Sequence, residues 1–433
     1  MKKNIGLIIF LFLILLPIIG LAEEPVLRAP HSILVEAQTG TVLWAHNEKE
    51  RVYPASTTKI LTVLMALEKA QADADAAGIS LEAQLQTELT ASQEACDVPW
   101  DSSKMGLYIG EKISIYDCMM GTMLISGNES ANVLGEYVSG NLDAFADAMN
   151  TRARELGAKD THFVNANGYF DEYHYTTAAD MAKIMCAAIK NEVFRTIIGT
   201  KTYDLPATEM NEARTIENSN KLLKGGSYSF SQAIGGKTGY TDIAKNCLVA
   251  AAEKEGVTVV SAVFEASIID GEYSSYTDTQ ALFRYALDNY IRIPIVEERE
   301  MIAEQPIRRA KGYKNAKLVS EETVYIVVPK DTVPADVLKR NVILDNEKLK
   351  APLEENAPLG ELQIFYTGEL YDNNKPMATV RLLADHAYSF SVWSVVRDVL
   401  LWILGILIAL VVLRIVSIHW RRIRNRKKHR RYK

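Results

Sequence analysis

An unbroken apolar run from Val399 to Leu413 limits what this chain can become more than any other segment. Val395 and Val396 before it, and Ile415 to Ile418 after it, bring the stretch to roughly the 20 residues that a bilayer requires. Trp393 and Trp420 stand where interfacial aromatics belong, and Arg414 is near enough to one end to snorkel. A helix lying along the membrane surface would need a polar face, which this stretch lacks. The reading is a transmembrane helix over residues 395–418, followed by a basic tail over 419–433. Tails rich in Lys and Arg stay in the cytoplasm.

At the other end, Lys2 and Lys3 precede the apolar run Ile5 to Ile19, then Gly20-Leu21-Ala22 and the polar pair Glu23-Glu24. Basic start, apolar middle and small residues make a secretory signal over residues 1–22, cleaved after Ala22. An uncleaved anchor is the alternative. In both cases the body between is exported and stands on the extracytoplasmic side of the membrane.

The net charge of −6 gives no sign of a nucleic-acid partner, and none is expected. Cys96, Cys118, Cys186 and Cys247 are too few and scattered for a disulfide framework, and none forms a C-x-x-C pair. They read as buried small hydrophobes, with one bridge possible outside the cell. The seven histidines show no metal-ligand spacing, so neither a metal nor another cofactor is expected.

The 433 residues leave room for two or three domains. Residues 32–37 and 41–45 are β-prone and flank Gln38-Thr39-Gly40, which predicts a hairpin. Thr57 to Ala70 is apolar nearly all round and predicts a buried helix, with residues 71–90 as a surface excursion. Helices are expected over Ile115 to Met123, Ala131 to Val138, Leu142 to Leu156, Ala178 to Lys190 and Leu282 to Tyr290. Cys247 to Ala252 and Val257 to Phe264 read as a second hairpin. Strands, then helices, then strands argue for an α/β body with an antiparallel sheet. Past Pro294, short β-rich runs (Thr323 to Val328, Leu362 to Tyr366, Met377 to Leu383) separated by turn residues suggest a small β-rich domain. The expected organisation is a main body over 27–292 and a β-rich domain over 295–388.

The sharpest chemical signal is Pro54-Ala55-Ser56-Thr57-Thr58-Lys59. On a helix, positions three apart share a face, so the Ser56 hydroxyl and the Lys59 amine can meet. A serine hydroxyl is a weak nucleophile until a base takes its proton, and a desolvated lysine can be that base. Ser-x-x-Lys also arises by chance, as a helix-capping serine and a surface lysine. Ser126-Gly127-Asn128 sits in a break between helices, offering a hydroxyl and an amide on a tight turn or, more plainly, a cap. Gly235-Gly236-Lys237-Thr238-Gly239 precedes the second hairpin. Its glycines let a substrate backbone approach a strand and Lys237 adds positive charge; a plain Gly-rich turn is the alternative.

Ser-x-x-Lys, Ser-x-Asn and Lys-Thr-Gly in that order resemble the signature of penicillin-binding proteins and serine β-lactamases. With Gly127 in the middle motif, the chain is similar to the low-molecular-mass D-alanyl-D-alanine carboxypeptidases. Thr161-His162-Phe163-Val164-Asn165 to Gly168, Thr177 to Ala182, and Asn218-Ser219-Asn220-Lys221-Leu222-Leu223 extend the likeness across about residues 28–290. The resemblance implies a transpeptidase fold of antiparallel sheet and helices, acting on a peptidoglycan pentapeptide. It implies Ser56 as nucleophile, Lys59 as base and Ser126, hydrogen-bonded toward Lys59 and Lys237, as proton relay. Asn128 would orient Lys59 or the substrate amide. Lys237, Thr238 and Gly239 would bind the substrate and its carboxylate. β-Lactam antibiotics would be covalent inhibitors.

Two departures stand out. Tyr240 replaces the histidine common after Lys-Thr-Gly, and Ala266 to Glu272 lacks an arginine that some members use to hold the terminal carboxylate. A β-lactamase, a cross-link-cleaving endopeptidase or a weakly active wall-binding scaffold are the competing readings.

Overall fold

A computed structural model describes residues 24–429 except 347, 369 and 371–373. The expected signal peptide over 1–22 lies outside the described residues. The chain divides into two compact units, one reaching to Arg292 and taking back Val327–Asp331, the other formed by Ile293–Ile326 and the chain from Thr332 onward.

The first unit is built on a five-stranded sheet of β1 (His31–Glu36), β2 (Val42–His46), β3 (Ala233–Thr241), β4 (Lys245–Lys254) and β5 (Val257–Ala266). Its order is β2-β1-β5-β4-β3, and every neighbouring pair is antiparallel. Nine of the ten β5 residues are buried, so both faces of the sheet are covered. That explains why β5 reads as a nearly continuous apolar run instead of alternating. Both expected hairpins form, the β4–β5 strands pairing down to Lys254 with Val257.

The helices are α1 (Lys59–Ala77), α2 (Ile115–Leu124), α3 (Asn128–Ser139), α4 (Leu142–Glu155), α5 (Ala178–Ala188) and α6 (Ser274–Asn289). Ile60, Leu61, Val63, Ala66 and Leu67 of α1 are wholly buried, as an apolar surface all round demands. Caps mark the helix starts. Thr177 accepts from Asp180 N at α5, and Asn141 accepts from Ala144 N at α4.

Three readings change. A 3₁₀ turn over Ala55–Thr58 precedes α1, and α1 continues to Ala77. The segment 71–90 is therefore no mere surface excursion: Ala74 and Leu85 are buried, and Glu88–Thr90 pairs with Lys112–Ser114. Helix α6 begins at Ser274, eight residues before the expected Leu282, because its first turns bury polar Ser274, Ser275, Asp278 and Thr279 and so hide the apolar period. A capped helix over Glu192–Gly199 was not foreseen.

In the second unit, β6 (Met301–Arg308), β7 (Asn315–Ser320), β8 (Leu338–Leu344), β9 (Leu349–Lys350), β10 (Pro358–Tyr366) and β11 (Ala378–Ala384) form one sheet. The order is β8-β10-β11-β7-β6-β9. Leu318, Leu362, Ile364 and Leu382 fill its core, and buried Tyr388 donates its hydroxyl to Asp385 at 2.6 Å. Helix α7 (Val392–His429) ends the described chain. Its stretch Val392–Arg422 is long and apolar enough to cross a bilayer.

Candidate active site

Ser56 lies on the 3₁₀ turn and Lys59 opens α1. Lys59 is fully buried, and its Nζ donates to Ser56 Oγ at 2.9 Å, Asn128 Oδ1 at 2.7 Å and the Asn167 carbonyl at 2.6 Å. Three partners match the three donors of an ammonium. Two of the three, an amide oxygen and a carbonyl, can only accept. The serine hydroxyl can also donate, so a neutral amine would be equally well satisfied by giving two N–H bonds and receiving one O–H bond. Burial pushes the Lys59 amine well below its ordinary pKa, the charge of Lys237 lowers it further, and the Glu129 carboxylate opposes both.

The backbone around this pair is unusual. Ala55 has φ 47° and Ser126 has φ 65°, left-handed values that non-glycine residues seldom hold. Gly168 has φ 81°, and a Cβ there would stand 1.9 Å from the Ala55 carbonyl oxygen. Only glycine permits that approach. Strand β3 comes in from the other side, where a Cβ on Gly239 would stand 3.0 Å from Ser56 N. Thr58 Oγ1 donates to Ala55 O at 2.8 Å and lies 2.8 Å from His174 Nε2. His174 Nδ1 accepts from Val164 N at 3.1 Å, which assigns the ring proton to Nε2 and makes Thr58 its acceptor. Burial first, then His162 and Lys59, hold the His174 pKa down to about 3, so the ring is neutral.

A cleft of about 620 Å³ opens over Ser56, with Ser126, Asn128, Thr238, Gly239 and Tyr240 in its walls. Asn128 N donates to Ser103 O at 2.9 Å, tying α3 to a loop whose residues Asp101 to Ser103 also line the cleft. Glu129 fastens the same loop, its Oε1 accepting from Gly106 N at 2.6 Å, while Oε2 is buried with no hydrogen bond. Of the expected residues, Ser56, Lys59, Ser126, Asn128, Thr238 and Gly239 gather here. Lys237 does not line the cleft. It is 1% exposed, its charge is felt by Lys59, and it donates from Nζ to Thr238 O at 3.1 Å. Burial brings its pKa down to about 7. The expected hydrogen bonds from Ser126 to Lys59 and Lys237 are not formed among the described residues: Lys59 gives its bonds to Ser56, Asn128 and Asn167, and Lys237 gives one to Thr238 O.

Asn167 and Glu129 escaped the sequence reading. Asn167 acts through its backbone carbonyl, which no side-chain motif can signal, and Glu129 stands in the first turn of α3, where an acid is favoured without any catalytic role. All four cysteines are free, three buried and Cys96 partly so.

Residues 20–268 match the family described as D-alanyl-D-alanine carboxypeptidase, and residues 297–388 match the penicillin-binding protein 5 C-terminal domain. The D-alanyl-D-alanine carboxypeptidase DacF of Bacillus subtilis is 30% identical over 344 residues, covering 79% of this chain and 83% of that protein. DacA of Escherichia coli is 27% identical over 361 residues, covering 82% and 84%. Among solved structures, penicillin-binding protein 5 of Haemophilus influenzae superposes with a TM-score of 0.64 at 25% identity, covering 84% of this chain and 99% of that one.

Proposed function

The chain belongs to the D-alanyl-D-alanine carboxypeptidase family of serine peptidases, and from that premise we propose how its own residues carry the reaction on peptidoglycan. Ser56 Oγ attacks the carbonyl carbon of the penultimate D-alanine in a pentapeptide stem, and its proton passes to Lys59 Nζ. The tetrahedral intermediate collapses, the C–N bond to the last D-alanine breaks, and that nitrogen takes a proton through Ser126. Water then attacks the ester, Ser56 regains its proton, and the shortened peptide leaves. The oxyanion sits against backbone N–H groups, that of Ser56 among them, where the bare Gly239 keeps the approach open. Asn128 holds the Lys59 amine in place. Thr238 and Gly239 hold the substrate along β3, and the buried Lys237 adds positive potential.

The single observation that supports this assignment best is the Lys59 amine, fully buried and 2.9 Å from Ser56 Oγ, with acceptor-only groups at its two other contacts. Burial favours the neutral amine, and with its N–H groups given to the two acceptors its lone pair is left for the serine proton. β-Lactams acylate the same hydroxyl, and their tethered leaving group blocks release. The same reading assigns residues 1–22 to a signal peptide, 27–292 to catalysis, 295–388 to the β-rich domain, 395–418 to the membrane and 419–433 to the cytoplasm. A fluorescent penicillin labels the wild type stably, and Ser56→Ala takes no label. Lys59→Ala acylates about a thousandfold more slowly. Labelling that survives Ser56→Ala, or rapid turnover of the penicillin, rules the assignment out.

A further inference from the structure

The walls of the cleft hold a cation that the proposed chemistry does not use. Among the described lining residues, Lys221 is the one basic side chain, facing a cleft that also carries Asp101 and Asp242. Its amine lies 4.1 Å from the centre of the Tyr273 ring and 5.4 Å from that of Tyr228. Lys224, one turn on, is paired with Glu217 at 3.1 Å; Lys221 has no carboxylate within ion-pair distance among the described residues. Aromatic faces hold an ammonium by their quadrupole without cancelling its charge. The site therefore keeps a full positive charge in place and leaves it available to an anion.

The backbone fixes where that charge stands. Ser219 Oγ lies 3.2 Å from Thr238 Oγ1 on β3, which joins this segment to the wall the substrate is proposed to follow. Lys221 N donates to Tyr276 Oη at 3.1 Å, and Tyr276 Oη donates back to Ser219 O at 3.5 Å. Two hydroxyls 3.2 Å apart and the side chain of Lys221, two residues from Ser219, thus line the same cleft. That is the donor set a carboxylate takes up, with a charge-assisted bond as its strongest member. Lys237 is buried and gives a hydrogen bond to Thr238 O, and it is not among the residues that line the cleft.

We propose that Lys221, held over Tyr273 beside Ser219 and Thr238, supplies the counter-charge for the carboxylate of the substrate's terminal D-alanine. The inference rests on the carboxypeptidase reading and deepens it, making Lys221 a specificity-determining residue. Its prediction is a preference for a free C-terminal acid that depends on this one side chain.

The test uses the full-length protein in detergent with diacetyl-L-lysyl-D-alanyl-D-alanine, whose only charge is the terminal carboxylate, and with the corresponding C-terminal amide. Release of D-alanine or D-alaninamide is measured for the wild type, Lys221→Met and Lys221→Arg. Methionine keeps an apolar stem over the tyrosines and leaves the backbone bond to Tyr276 in place. Lys221→Met should lower kcat/KM for the acid by about tenfold to a hundredfold, leave the amide nearly unchanged, and so abolish the preference; Lys221→Arg should restore most of it. An unchanged acid-to-amide ratio in Lys221→Met, or equal losses on both substrates, overturns the inference while the wild-type activity upholds the proposed function. A wild type that releases no D-alanine overturns both.

Discussion

At the residue scale, the site contains two buried amines whose charges matter in opposite ways. Lys59 must give up its proton to act as a base, and burial together with Lys237 lowers the pH at which it does so. Lys237 must keep its proton to supply positive potential, yet burial brings its pKa to about 7. Acylation by a penicillin should therefore rise with pH as Lys59 loses its proton and fall again as Lys237 loses its own near pH 7. Lys237→Arg keeps its charge across this range, so its descending limb should move to higher pH. A stopped-flow pH profile with the same descending limb in wild type and variant would assign that limb to some other group. Ser56, Lys59, Ser126 and Asn128 could be read from the sequence because short-range spacing carries the information. Asn167, whose carbonyl binds Lys59 from 108 positions away, could not. Nor could Lys221, whose significance comes from tyrosines at 228 and 273 that fold around it. Such meetings are made by tertiary packing and leave no local pattern.

At the element scale, the nucleophile is set by three backbones pressed together: the 3₁₀ turn of Ala55–Thr58, the loop at Gly168 and strand β3 at Gly239. Apolar periodicity showed that a buried helix follows Ser56, since Ile60, Leu61 and Leu64 leave it no solvent face. It did not show that the serine stands on a tighter turn before that helix, because a 3₁₀ turn and a first α-turn accept the same residues. The late start expected for α6 has a related cause: Asp278 is buried because it accepts from Arg28 N at 2.9 Å and Ala29 N at 2.7 Å, partners 250 and 249 positions distant. A buried polar residue imitates an exposed one in any hydropathy pattern. The close contact at Gly168 makes a test of this scale. Gly168→Ala would place a methyl group 1.9 Å from the Ala55 carbonyl on a backbone at φ 81°. The strain should cost about 1–3 kcal/mol, lower the melting temperature by several degrees, and slow penicillin acylation by displacing the residue before Ser56. Thermal denaturation and acylation rates measured on one preparation check this, and wild-type values for both would mean that the turn is looser than its geometry implies.

At the scale of the whole molecule, chemistry and anchorage are carried by different parts of one chain. Every proposed catalytic and binding side chain lies before Arg292, inside the first unit. Helix α7 buries none of its apolar stretch against the protein: Trp402 is 75% exposed and Leu413 is 64% exposed. So large an apolar surface is stable only in lipid or detergent. The 31 residues of Val392–Arg422 make a rod of about 46 Å, longer than the roughly 30 Å hydrocarbon layer. This is a single-pass membrane protein with its catalytic domain on the extracytoplasmic side, where peptidoglycan lies. The span was the most legible feature of the sequence because burial in lipid demands composition alone, not a partner surface. The helix itself runs on to His429, through a segment read only as a basic tail. Ending the chain after Ser391 removes the whole span and none of the first unit. The truncated protein should move from the membrane pellet to the aqueous fraction, and Ser56 should still take a fluorescent penicillin at close to the full-length rate. Carbonate extraction followed by gel fluorescence reads both properties at once. A truncated protein that remained in the pellet would place the membrane contact elsewhere in the chain, and one that was soluble but unlabelled would show that anchorage and catalysis are not separable in this fold.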